Sequence, residues 1–247
     1  MKKTIIALFA LAGVAAADGT LLWTLDTTGG EYDITTTSSY TGQPLRTNWS
    51  STDFTTMPGY VYSNGDKKIA LEPTDMGIKM ADSFTMMMDC KLTGDVYDKN
   101  ASQHWLMAVG ESGNWDLGVA YDSDEKAVTI ATDKSDYTFT GISTYGEYEL
   151  TDIKSITLTM EGALGEAGAV TVYVNGVKAA VGTMAAANRH TNTTIKAATM
   201  LNGVAEHKGV MGGVTGAKFY AGVVPEPTTA TLSLLALAGL AARRRRK

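Results

Sequence analysis

The chain has 247 residues, 44% of them hydrophobic, and its 21 basic and 26 acidic residues give a formal net charge of −5 at pH 7. An acidic chain excludes nucleic acid as the main partner, because phosphate binding needs a basic surface. A single cysteine excludes an internal disulfide, so burial of apolar side chains must stabilise the fold.

Residues 1–17 have the three parts of a secretory signal peptide. Lys2 and Lys3 form a basic start, an apolar stretch covers residues 5–14, and the alanines at 15–17 offer a cleavage site. The apolar stretch is too short for a stable membrane span. We therefore expect an exported protein that loses residues 1–17; the alternative is a buried N-terminal strand or helix.

The body of the chain, residues 18–224, holds 14 basic and 25 acidic residues, a net charge of −11. Its length fits one large all-β domain. Apolar and polar residues alternate through most of it, the pattern of half-buried strands. The predicted strands cover residues 21–25, 68–71, 83–92, 105–109, 115–121, 126–131, 136–139, 156–160 and 170–174. No amphipathic helix is predicted in the body, which favours a two-sheet antiparallel sandwich.

Two polar stretches of the body lack the strand pattern. Residues 26–58 are rich in Thr, Ser and Gly, and we expect long loops there. Residues 185–194 are predicted to form another surface loop. These two stretches are therefore where we look for ligand-binding side chains.

The single cysteine lies in the strand predicted at 83–92. Alternation places Phe84, Met86, Met88, Cys90 and Leu92 on the same strand face. This predicts a buried structural thiol; a reactive or metal-binding thiol is the alternative.

A hairpin signal is the most informative internal feature. Asn175-Gly176 lies between two alternating runs and suits a type I′ turn, which needs φ > 0 at both central residues. Residues 169–178 resemble the Tyr-Val-Asn-Gly hairpin of laminin G-like and concanavalin A-like domains. Segments at 83–86, 153–160 and 218–222 are similar to other strands of that family, in the expected order. The resemblance implies an all-β jelly-roll sandwich of two antiparallel sheets; another β-sandwich with a chance hairpin is the alternative.

Residues 225–247 have a different character. Pro225, Glu226 and Pro227 precede an apolar run from 230 to 242, and a basic cluster follows, made of Arg243, Arg244, Arg245, Arg246 and Lys247. About 15 residues of helix, at about 228–242, reach roughly 22 Å, short of a ~30 Å hydrocarbon core. We therefore expect a short C-terminal hydrophobic helix that anchors the chain transiently, with the basic end cytoplasmic.

In this order the three parts resemble the PEP-CTERM sorting signal of Gram-negative bacteria. The resemblance implies contact with the inner membrane and processing by a membrane protease of the exosortase type. It also implies sorting to the cell envelope, cell surface or extracellular matrix, often beside exopolysaccharide production. An ordinary C-terminal anchor with a chance Pro-Glu-Pro is the alternative.

The sequence contains no recognisable catalytic set. Glycoside hydrolases that share the jelly-roll fold carry Glu-x-Asp-x-x-Glu on one strand, and the nearest approach, Glu147-Tyr148-Glu149, lacks the third acid. The three histidines, His104, His190 and His207, have no zinc-like spacing. We therefore expect a protein that is not an enzyme, and keep a hydrolase with an unrecognised site as the less favoured alternative.

The candidate ligand-binding residues lie in the two polar stretches. Asn48 and Trp49 occupy the first and Asn188 and Arg189 the second, and together they suit a sugar, which aromatic and amide groups bind. Trp105 and Trp115 lie in predicted strands, so we assign them to the core.

We predict no cofactor and no metal site, and a Ca²⁺ site is the alternative. Asp116, Asp122 and Asp124 are candidate oxygen ligands for Ca²⁺, although Asp122-Ser-Asp124 also has the composition of a solvated turn. The leading functional prediction is non-catalytic glycan binding or adhesion. The alternative is a structural matrix component without a specific ligand.

Overall fold

The structure is a computed structural model, and it describes residues 19–26, 33–36, 55–57, 60–63, 69–71, 78–111, 114–189, 195, 197–201 and 209–224. The signal peptide expected at 1–17 and the membrane segment expected at about 228–242 lie outside these ranges and stay predictions. In the described ranges, no helix is long and apolar enough to cross a membrane.

Strands dominate the described residues, together with two 3-10 turns, Leu150–Asp152 and Ala186–Asn188. The strands are β1 (Thr20–Asp26), β2 (Asp33–Thr36), β3 (Thr55–Met57), β4 (Tyr60–Ser63), β5 (Ile69–Leu71), β6 (Phe84–Val96), β7 (Gln103–Glu111), β8 (Asn114–Asp122), β9 (Ala127–Ala131), β10 (Phe139–Thr144), β11 (Ser155–Glu161), β12 (Gly168–Val174), β13 (Val177–Met184), β14 (Ala197–Met200) and β15 (Val210–Ala221).

The strands form two antiparallel sheets. Over the described residues, the larger sheet runs in the order β10-β13-β12-β11-β6-β15-β1-β2, with β4 joined to β15 and β3 to β4. The smaller sheet runs β5-β14-β7-β8-β9. The inner faces of the two sheets meet in one apolar core. The protein is thus the predicted two-sheet antiparallel jelly-roll sandwich.

The inner face of β6 is the one predicted from alternation. Phe84, Met86, Met88, Cys90 and Leu92 are all buried in the core, while the residues between them point outward. The Cys90 thiol contacts the Ile153 carbonyl, with Sγ 3.7 Å from the oxygen. The structural thiol is therefore confirmed.

Three stacked rings tie the central strands of the larger sheet together. The Phe219 ring of β15 lies between Trp23 of β1 and Phe84 of β6, with ring centroids 5.9 and 5.5 Å away. All three side chains are buried. Cross-strand aromatic contacts of this kind stabilise a sheet beyond the area that they bury.

The Asn175-Gly176 hairpin between β12 and β13 is confirmed. Both residues have positive φ, 51° and 76°, as a type I′ turn requires. The Asn175 side chain also holds the neighbouring chain. Its Oδ1 accepts the backbone N–H of Lys154 and Ser155 at 2.7 and 3.1 Å, and its Nδ2 donates to the Asp152 carbonyl at 2.8 Å.

Two predictions about elements are wrong. The stretch 26–58, expected to be loops, contains β2 and β3, because short edge strands form by hydrogen bonding to β1 and β4 without an apolar period of their own. The strand expected at 136–139 begins only at Phe139, where pairing with β13 starts. Before it, the backbone N–H of Thr138 donates to the Asn188 side chain instead of to a strand.

Candidate functional site

The candidate site is a groove of about 180 Å³ on the outer face of the larger sheet. It lies where β11, β6 and β15 run side by side. Its lining residues are Met87, Met88, Asp89, Ser155, Ile156, Thr157, Ala217 and Lys218. The side chains of Met88, Ile156 and Ala217 point into the core, so the backbone of these residues forms the floor of the groove. The outward side chains of the other lining residues form its walls.

Strand register builds the walls in two rows. In the first, Met87 pairs with Thr157 on one side and Lys218 on the other; in the second, Asp89 pairs with Ser155 and Gly216. The row positions follow because paired residues of antiparallel strands point to the same face. Gly216 contributes no side chain to the second row, and a Cβ there would make an ordinary contact, 3.6 Å from Asp89 Oδ2.

The groove offers both apolar and polar contacts. The half-buried Met87 supplies an apolar surface, while Asp89 and Lys218 are exposed and oppositely charged. The hydroxyls of Ser155 and Thr157 both donate and accept hydrogen bonds, the carboxylate only accepts, and the ammonium only donates. This set matches a neutral ligand that carries many hydroxyl groups.

Two of the sequence-predicted site residues, Asn188 and Arg189, are buried. Arg189 is 2% exposed and Asn188 8% exposed, so the surface loop expected at 185–194 is wrong at both residues. The Asn188 side chain accepts the Thr138 N–H at 2.9 Å and donates to the Asp136 carbonyl at 3.3 Å. It therefore fixes the approach to β10 and has no amide group directed at solvent.

Arg189 is buried because backbone carbonyls surround its guanidinium. Nη1 donates to Ala163 and Glu166, each at 2.7 Å, and Nη2 donates to Ala81 and to Gly162, the latter at 3.1 Å. Burial lowers the pKa of the guanidinium, against the nearby carboxylates of Asp82 and Glu166. Arg189 thus ties three segments together and is not a ligand-binding residue.

The remaining sequence predictions divide into tested and untested ones. Trp105 and Trp115 are buried, as expected, in a small cluster with Ala108. Asn48 and Trp49 lie outside the described residues, so their proposed role stays a prediction.

Two of the candidate calcium ligands, Asp116 and Asp122, have other partners within the protein. Asp116 is buried and forms an ion pair with Lys134, with Nζ 2.6 Å from Oδ1. Asp122 Oδ1 accepts the N–H groups of Asp124 and Glu125, each at 3.0 Å, which makes this segment the solvated turn. Among the described residues, no three His, Cys, Asp or Glu side chains are placed to hold a metal ion.

Glu147 and Glu149, the two nearby acids of the sequence analysis, do not line the groove. Glu147 and Glu149 are exposed in the segment between β10 and the turn at Leu150–Asp152. Glu149 Oε1 is 2.5 Å from the Lys126 ammonium, so one of the two acids is in an ion pair.

Comparison with known proteins gives different results for the tail and for the body. A family model described as the PEP-CTERM protein-sorting motif matches residues 223–247. The tail therefore carries a bacterial signal for export and sorting to the cell envelope. No match was found among curated protein sequences.

The body is similar to solved β-sandwich structures at low sequence identity. Domain 4 of AbnA, a GH43 extracellular arabinanase from Geobacillus stearothermophilus in complex with arabinotriose, is 13% identical with a TM-score of 0.55, and the alignment covers 83% of this chain and 94% of that one. A botulinum neurotoxin type C structure is also 13% identical, with a TM-score of 0.50 and coverage of 86% and 50%. A Trypanosoma rangeli sialidase is 17% identical with a TM-score of 0.48, covering 68% and 26%. This chain thus spans half of the neurotoxin chain and about a quarter of the sialidase, and the likeness shows the fold alone.

Proposed function

We propose that this protein is exported, is sorted to the cell envelope through its tail, and there binds a polysaccharide without cleaving it. The groove on the outer face of β11, β6 and β15 carries the binding part of the proposal. Its thioether, hydroxyl, carboxylate and ammonium groups suit the alternating apolar and hydroxyl-bearing faces of a sugar ring. An open groove on a flat sheet face also admits a long chain, whereas a closed cavity does not.

Similar folds in other proteins support a carbohydrate ligand. The AbnA domain was solved with arabinotriose, and the neurotoxin structure concerns interaction with two ganglioside molecules. A shared fold is only a prior for function, so the groove residues decide the proposal. We assign the domain to the laminin G-like branch of concanavalin A-like sandwiches on its Asn175-Gly176 hairpin.

The non-catalytic part rests on carboxylate placement. Glycoside hydrolysis needs two carboxyl groups on either side of the scissile bond, about 5–10 Å apart. Among the described residues, Asp89 is the one carboxylate that lines the groove. Glu149 lies in another segment, paired with Lys126.

The tail supplies the partners in the proposal. A membrane protease of the exosortase type acts on residues 225–247, and the segment at about 228–242 contacts the inner membrane of a Gram-negative cell. The body then remains at the surface or in the extracellular matrix as an adhesive, glycan-binding domain.

Titration of residues 18–224 with purified polysaccharides tests the binding site. Asp89→Asn and Lys218→Met should each weaken binding about three- to tenfold, since each removes one charge-assisted hydrogen bond. Asp95→Asn is the matched control, because Asp95 is exposed on the same strand but outside the groove. It should bind like the wild type, and equal loss in all three variants would argue against a localised site.

Three further results would redirect the proposal. Weakening by Trp49→Ala together with normal binding by the groove variants would place the site in the stretch around Asn48. Release of reducing ends by the purified domain would make the protein a hydrolase. A folded domain that binds no glycan would favour the structural matrix component.

A further inference from the structure

The chain leaves the sandwich across the outer face of its own larger sheet. Beyond β15, residues 222–224 form a strap over Thr85 of β6. Thr85 is fully buried although its side chain points outward, and its Oγ1 donates to the Gly222 carbonyl at 3.0 Å and accepts the Val224 N–H at 2.9 Å. One hydroxyl therefore holds both ends of the strap.

Neighbouring contacts fix the strap at its start. The Gly222 N–H donates to the Ser83 carbonyl at 2.8 Å, and Gly222 turns the chain with φ of 90°. Gly19, just before β1, lies so close that a Cβ there would stand 2.3 Å from Val224 Cγ2. The strap is thus packed between the beginning of β1 and the outer face of β6.

The strap overlaps the sorting signal. The matched PEP-CTERM range begins at residue 223, so its first two residues are held against the folded domain, and Pro225 follows at once in the chain. Proteases bind their substrates as extended chain through backbone hydrogen bonds on both sides of the scissile bond. While Thr85 engages Gly222 and Val224, those backbone groups are not available to an enzyme.

We infer that the strap is a latch that controls removal of the tail, with Thr85 as its positioning residue. Cleavage near Pro225 then requires the strap to detach from Thr85 first. When such opening is fast relative to cleavage, the cleavage rate follows the population of the open form. This inference rests on the proposed processing of the tail and is independent of glycan binding.

The test uses the full chain with Thr85→Val, which keeps the side-chain shape and removes the hydroxyl. Pulse-chase labelling in cells that carry the processing protease should show tail removal accelerated about three- to tenfold, the effect of losing one or two hydrogen bonds from the closed state. Hydrogen exchange of the Val224 amide in the purified chain should accelerate as well. Thr85→Ser retains the hydroxyl and should restore both rates towards wild type.

Thr159→Val is the matched control. Thr159 is the cross-strand partner of Thr85, is 6% exposed on the same face, and donates to the Thr171 carbonyl instead of to the strap. It should leave both rates unchanged. Gly222→Ala is a second way to open the strap if Thr85→Val folds poorly, because alanine resists φ of 90°, while its Cβ would make only an ordinary contact, 3.5 Å from Gly19 Cα.

Three outcomes would overturn the latch. Faster Val224 exchange in Thr85→Val with tail removal at the wild-type rate would show that the strap does not limit processing. Unchanged exchange would show that Thr85 does not hold the strap. A tail retained in the wild type and in every variant would overturn the proposed processing itself, and with it this inference.

Discussion

Cys90 shows how the core sets the chemistry of a single side chain. Burial, with a contribution from the neighbouring Asp89 carboxylate, raises the pKa of the thiol to about 12. At pH 8 the thiolate fraction is then about one part in ten thousand, and the thiolate is the reactive form. We expect the native protein to resist a thiol reagent at pH 8.

The same reagent should label one thiol per chain in strong denaturant, which serves as the control. Reductant should leave the melting temperature unchanged, because the chain has no second cysteine. Rapid stoichiometric labelling of the folded protein would contradict the buried position of Cys90.

His104 gives the fold a dependence on pH. Its side chain is fully buried in β7, and desolvation lowers its pKa below the ordinary 6.5, although the Ala101 carbonyl and the carboxylates of Asp98, Asp122 and Asp124 act in the opposite direction. The unfolded chain therefore binds more protons than the folded one below about pH 6.5. The contribution of the neutral His104 to the free energy of unfolding is fully present above that pH. It is lost as the pH drops towards the folded-state pKa.

We predict a smaller loss of melting temperature between pH 7 and pH 5 in His104→Gln than in the wild type. The range from pH 7 to pH 9 is the control, because the imidazole is neutral there in both states and the two proteins should show the same change in melting temperature. The same slope in His104→Gln as in the wild type would show that His104 is not the group responsible.

At the scale of elements, the β12–β13 hairpin is held by its turn and by the side chain of Asn175. Asn175→Ala removes three hydrogen bonds and places alanine at φ of 51°, so we expect a loss of about 2–4 kcal/mol in the free energy of unfolding. Gly176→Val should also destabilise, because a β-branched residue resists positive φ.

Denaturant unfolding at 25 °C measures both losses. Val177→Ala is the matched control, since Val177 adjoins the same turn with 63% of its surface exposed and should change stability by less than about 0.5 kcal/mol. An unchanged free energy of unfolding in Asn175→Ala would show that the Asn175 side chain does not stabilise the hairpin.

The sequence predicted features that depend on local pattern. Alternation was sufficient for the buried face of β6, and Asn175-Gly176 was sufficient for the turn, because both signals lie within one or two strands. Arg189 was missed as a buried residue because its carbonyl acceptors at 81, 162, 163 and 166 are distant along the chain. Its polar neighbours indicated a loop, while the fold supplied the partners that permit burial.

The groove was missed for the same physical reason. Met87, Thr157 and Lys218 belong to three strands that are far apart in sequence, and only the pairing of β6 with β11 and β15 puts them in one row. Met87 is half-buried and lines the groove, whereas the side chains of its neighbours Met86 and Met88 are buried in the core.

At the scale of the whole molecule, the two ends of the chain hold 7 of its 21 basic residues and only one of its 26 acidic residues. The full chain has a net charge of −5. Removal of residues 1–17 takes two lysines, and removal of residues 225–247 takes five basic residues and Glu226. The body that remains is strongly acidic, which favours solubility and disfavours binding to acidic polymers.

Processing should therefore be visible as charge as well as mass. The intact chain, the chain without residues 1–17, the chain without residues 225–247 and the body alone carry −5, −7, −9 and −11. We expect protein from the cell envelope to have the mass of residues 18–224 and to focus at the most acidic position of the four forms. A chain produced without the processing protease is the control and should focus at the −7 position, because its signal peptide is removed by a different enzyme. An envelope form that keeps the mass of Arg243 to Lys247 would contradict removal of the tail, and the −7 position would then be its expected charge.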